Sequence, residues 1–196
     1  MAATVVVKEL NSGSDGAPGT YTTVSSTVTS WFRVSDERGS SAPSNKIPIP
    51  SSGINYSYWK HYCAEIEANG DSNTLDNWKF YYTQDSDWEA GGKVGTSGGL
   101  KAGYHTSNST YGFTHPTDYR VALGQDDSNG WGGQVITTHS EVSTAQNMPT
   151  SATAFDSASF TSTGSTNMII LQVYVDTDAT LGTIGAATAH IQYDES

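Results

Sequence analysis

The sequence predicts an all-β protein, an antiparallel β-sandwich of jelly-roll-like type with long loops and little helix. Three observations predict it. Short segments rich in Val, Thr, Tyr and Trp recur between clusters of Gly, Ser, Asn and Asp, the punctuation expected of strands joined by turns. Ser and Thr make up roughly a quarter of the chain against only six leucines, a composition that disfavours helix. No stretch sustains apolar residues at i, i+3, i+4 and i+7. The 196 residues suffice for one domain with a core and would crowd two, so residues 1–196 are read as a single β-sandwich domain.

In chain order, the expected strands are Thr4–Leu10, Tyr21–Val34, Ile54–Glu67, Trp78–Thr83, Gly103–Thr106, Asp118–Leu123, Gly133–His139, Met168–Asp176 and Thr188–Asp194. Residues 1–20 read as an N-terminal strand followed by a flexible arm, because "NSGSDGAPG" is rich in glycine and small polar residues. Ser140–Asn147 is the best helix candidate. In "SATAFDSASFTSTGST" Phe155 and Phe160 need somewhere to pack, which favours an edge strand over a surface connection. "NMIILQVYVD" places Ile169, Leu171, Val173 and Val175 on one face and reads as a central strand. The turn-rich "TDATLGTIG" follows, then the alternating "AATAHIQYDES", which together suggest a closing antiparallel hairpin.

Charge narrows the function classes. Nine Lys plus Arg against twenty Asp plus Glu give a formal net charge of −11, which repels a phosphate backbone, and no basic cluster offers a seat for anionic lipid. Nucleic acid and membrane are therefore not expected partners. The single cysteine excludes an internal disulfide. The longest apolar run, "MIILQVYV", falls far short of the roughly 20 residues that span a bilayer. "MAATVVVKEL" lacks the basic-then-apolar pattern of a secretory signal, so the expectation is synthesis in a cytoplasm and chance occurrence of the sequons at Asn55 and Asn108.

"INYSYWKHYCAEIEANG" concentrates the residue types that do chemistry. On a strand, Trp59, His61, Cys63, Glu65 and Glu67 share one face, and Tyr58, Lys60, Tyr62, Ala64 and Ile66 the other. His61 and Cys63 could share a metal only with further ligands, yet no second cysteine exists and His105, His115, His139 and His190 lack ligand spacing. A Cys/His nucleophile pair has no accompanying signature, and a buried free cysteine is the commoner case. Glu65 and Glu67 stand near the carboxylate spacing of retaining glycosidases, about 5–5.5 Å. Jelly-roll glucanases with acids at alternate strand positions carry a third acid two residues on, where this chain has Asn69. The bland reading of the pair is two carboxylates at a solvated strand end.

Other motifs fail on inspection. "GGKVGTSGG" lacks the Ser or Thr that must follow a phosphate-loop lysine, and "QDDSNGWGG" puts Gln125 and Ile136 where a calcium loop needs its first and twelfth ligands. No G-x-S-x-G elbow is present. Catalytic residues, metal ligands and cofactors are accordingly expected to be none. Of the five tryptophans, Trp31, Trp59 and Trp78 sit in alternating strands and read as core. Trp88 and Trp131 lie in loops rich in Gly and Asp and are the candidates for stacking on sugar rings.

Three segments carry a resemblance. Ile49, Pro50, Gly53, Ser57, Tyr58 and Lys60, then Asn77, Lys79, Phe80 and Tyr81, then the closing Tyr193, Asp194 and Glu195 resemble small β-rich virion proteins encoded by tailed phages and related viruses. The resemblance covers the middle third and the C-terminus; residues 1–30 and 125–160 have no counterpart in it. It implies a non-enzymatic virion component, a capsid decoration or cement protein on the particle exterior. Its partners would be the major capsid protein or other virion proteins, and it would be a homo-oligomer, with a trimer as the expectation. A carbohydrate-binding or adhesive sandwich, such as a tail or receptor-binding component, is the alternative.

Overall fold

The computed structural model describes residues 2–11, 20–24, 32, 46–57, 60–71, 73–83, 86–105, 146–147 and 151–196. Its strands are β1 (Thr4–Asn11), β2 (Thr20–Val24), β3 (Ile54–Tyr56), β4 (Lys60–Ala68), β5 (Leu75–Thr83), β6 (Gly99–His105), β7 (Gln146–Asn147), β8 (Thr153–Asp156), β9 (Gly164–Ser165), β10 (Met168–Asp176) and β11 (Thr188–Glu195). A single 3-10 turn, Ser86–Trp88, is the only helical element among the described residues.

The chain is all-β with antiparallel sheets, as its alternation predicts. The larger sheet runs β2-β1-β4-β10-β6-β7, with β3 added to β10 and β9 to β4; the smaller runs β11-β5-β8. β10 is central: Ile169–Leu171 pair with β4, Tyr174–Asp176 with β3, and Met168–Tyr174 with β6. β8 takes the edge position expected of the Phe155 segment.

One apolar cluster lies between the sheets. Ala64 and Ile66 of β4, Leu100 and Ala102 of β6, and Ile169, Leu171, Val173 and Val175 of β10 meet Leu75, Trp78, Phe80 and Tyr82 of β5 and Phe155 of β8. Residues two apart on a strand face the same way, so alternation, broken once in β5 between Leu75 and Trp78, aims both sheets at a common layer. Each fully buried Leu, Ile, Val or Phe contributes about 1.5–3 kcal/mol. Trp78 is the largest fully buried side chain among the described residues, wedged against Tyr193 at 4.9 Å and edge-on to Phe160 at 5.8 Å between ring centroids.

Three expectations are corrected. The closing hairpin does not form: β10 belongs to the large sheet and β11 pairs with β5 in the small one, so residues 177–187 cross from sheet to sheet. Each strand buries its apolar face in the shared core from the opposite side, which side-by-side pairing would not allow. The strand expected over Ile54–Glu67 is interrupted, because Ser57 puts its side chain into the ladder: Val173 N–H donates to Ser57 Oγ (3.0 Å), and the register against β10 shifts by one residue between β3 and β4. The helix candidate fails at its end, where Gln146–Asn147 pairs with β6 as strand. The expected strands Asp118–Leu123 and Gly133–His139, most of Tyr21–Val34, the arm after β1, Trp31 and Trp59 lie outside the described residues.

Candidate functional site

The strand expected to hold chemistry is β4, and its two faces have separate fates. Ala64 and Ile66 face the core, while Cys63 turns the other way, 1% exposed against Met168. Burial pushes the Cys63 thiol up to about 12, Glu65 nearby adds to the rise and Lys8 opposes it. Such a thiol is not a nucleophile at neutral pH. Across the strand pair, Lys8 stands opposite Cys63 and reaches Glu67 at 3.2 Å and Glu65 at 3.8 Å. The two glutamates are thus gathered by one ammonium on a partly solvated face, an arrangement worth little in energy. Among the described residues no group of three or more His, Cys, Asp and Glu side chains is placed to hold a metal ion.

Sequence reasoning missed the buried charge pair on the opposite face. Lys60 Nζ donates to Glu9 Oε1 at 2.8 Å, with the two side chains 2% and 0% exposed. Its signal was present: Val5, Val7 and Glu9 share a face of β1, and they oppose Ile66, Ala64 and Tyr62 of β4. A charge at the third position of an apolar alternation has to be paired or expelled. Here it is paired.

At one end of the sandwich two loops interlock. Asp178 accepts from Thr96 N–H (2.9 Å) and from the Thr96 hydroxyl (2.5 Å), while Asp176 accepts from Ser97 N–H (2.8 Å) and Thr177 N–H (2.6 Å). These bonds hold both carboxyls below the usual range, chiefly through Thr177 N–H for Asp176 and the Thr96 hydroxyl for Asp178. Gly95, at φ +91°, lies against both aspartates. Lys93, the residue that failed as a phosphate-loop lysine, bonds Asp87 at 2.6 Å and the Thr183 carbonyl at 2.8 Å.

Trp88 belongs to this clasp. It is half-buried, packs edge-on to Phe32 at 6.0 Å between centroids, and donates its indole N–H to the Gly185 carbonyl at 2.7 Å. The exposed stacking platform expected at Trp88 is therefore a joint between loops. Trp131, the other candidate, lies outside the described residues, as does the calcium-like loop at Gln125.

Six of the thirteen residues singled out in the sequence as a shared pattern, Ser57, Lys60, Asn77, Tyr193, Asp194 and Glu195, sit at three joints. In the first, Ser57 is fully buried and bonded to Val173 and Gln172 of β10, and Lys60 is locked to Glu9. In the second, Asn77 adopts φ +55° where β5 carries one residue more than β11, a bulge that turns Trp78 into the core. In the third, Tyr193 packs on Trp78, Asp194 accepts from Asn77 Nδ2 at 2.7 Å, and Glu195 accepts from Ala3 N–H at 2.8 Å and Asn73 Nδ2 at 2.6 Å. The second and third joints are one unit, the Tyr-Asp-Glu ending supplying the partners that the bulge requires.

Comparison with family models, with curated proteins and with solved structures gave no match. What the described surface offers is shallow and polar. A depression of about 380 Å³ on the small sheet is lined by Asn77 and Lys79 of β5 and by Ile191, Gln192, Tyr193 and Asp194 of β11.

Proposed function

We propose that this chain is a non-enzymatic structural protein of a virion, a decoration or cement protein that binds the outside of a viral shell and stabilises it. One observation carries the reading: residues of all three resembling segments serve as joints within and between the sheets, the use expected of motifs that define a scaffold. The formal charge of −11 supports an outward-facing position, away from packaged nucleic acid. The work is mechanical. Each copy buries surface against the major capsid protein or its neighbours, and many modest interfaces sum through multivalency. The protein is made in the host cytoplasm and acts as a homo-oligomer on the particle exterior.

The test is reconstitution on the capsid shell of the virus that encodes this chain. The expected result is saturable binding of the purified protein to particles and a rise in their melting temperature. A protein that leaves its own shell unbound and unstabilised would overturn the reading.

A further inference from the structure

β11 is an edge strand with β5 on one side and, among the described residues, no strand on the other. It is eight residues long. Alternate residues of such a strand direct N–H and C=O groups away from the sheet, a template for another strand. Natural edges are usually blunted by lysine, proline, inward-pointing charge or a bulge. The stretch Thr188–Gln192 carries none of these; the register irregularity begins only after Gln192, and the acids Asp194 and Glu195 come last.

We infer that β11 pairs antiparallel with β11 of a second copy of this chain, across a two-fold axis at Ile191, joining two three-stranded sheets edge to edge. The strand's own pattern selects this partner. With like faces aligned, Ile191 meets Ile191, Ala189 meets Tyr193, His190 meets Gln192 and Thr188 meets Asp194. Small sits against large on the inner face, and polar against polar outside. No two like charges oppose each other, in spite of a chain charge of −11. Both acids at the strand end are already fixed by Asn77, Asn73 and Ala3, so pairing does not need to reorganise them. A two-fold contact of this kind closes on itself and forms no fibre. The inference stands apart from the particle role: it concerns the isolated chain.

Thr188 provides the test, being exposed and paired with Thr83 of β5. Sedimentation equilibrium over a concentration series should show a mass moving from 20.8 kDa toward twice that value. Thr188→Glu sets a carboxylate against Asp194 of the second copy at two equivalent places and should weaken the dimer roughly tenfold. Thr188→Lys should tighten it by a similar factor, and added salt should shrink both effects. Circular dichroism checks that both variants remain folded. A single-chain mass throughout, pairing seen only with another virion protein, or an oligomer, trimer included, whose association constant both variants leave unchanged would each overturn the inference.

Discussion

Asn77 Nδ2 donates to Asp194 Oδ2 at 2.7 Å across the bulge that separates β5 from β11, and Asn77 is the one non-glycine residue with positive φ among the described residues. Asparagine tolerates this left-handed conformation, which a β-branched residue adopts only under strain. Asn77→Gly should therefore change stability by less than about 1 kcal/mol, while Asn77→Val should cost about 1–3 kcal/mol. Urea unfolding of the two variants measures the difference, and equal losses would show that the hydrogen bond and not the backbone dominates.

The buried Lys60–Glu9 pair should behave as a unit. Lys60→Met takes the ammonium away from a carboxylate that is 0% exposed and should destabilise by about 3–5 kcal/mol. Replacing both residues with apolar ones should recover most of that loss, because desolvation of the two charges disappears together. A double-mutant cycle by chemical denaturation reads the coupling directly.

Gly95 sits where a side chain has neither the conformation nor the room. Its φ is +91°, and a Cβ there would lie 2.7 Å from the Asp176 Cβ. Gly95→Ala should cost about 1–3 kcal/mol and loosen the clasp around Trp88, visible as a change in tryptophan fluorescence.

Acid should open the same clasp first. Asp176 is lowered by Thr177 and then Ser97, Asp178 by Thr96, and Glu195 by Asn73 and then Ala3; all but the Thr177 contact join residues far apart in sequence and need the folded chain. A group whose folded pKa is depressed contributes stability above its unfolded value, and that contribution is lost as pH falls through the folded value. Stability should thus hold above about pH 5 and decline below about pH 4. Asp178→Asn should flatten part of that decline in melting temperature measured against pH.

Alternation made β10 and most of β1, β4, β5 and β11 legible in the sequence, since a period of two fixes which residues share a face. What it did not reveal depends on departures from that period. Ser57 interrupts a strand by accepting the Val173 N–H on its side-chain oxygen, and Asn77 shifts the parity of β5 so that both Leu75 and Trp78 are buried. Sheet membership was also hidden, because Ile191 and Val173 present the same alternation whether their strands lie side by side or face to face. Trp88 looked exposed because its neighbours are Gly and Asp. Those residues build the tight loops that let its indole reach the Gly185 carbonyl.

Glu195 accepts from Ala3, and Ser196 exchanges backbone bonds with Thr74, so the two ends of the described chain are fastened at one pole of the molecule. Fraying at the start of β1 therefore releases a bond from the last residues of β11, and the two sheets loosen together at this pole.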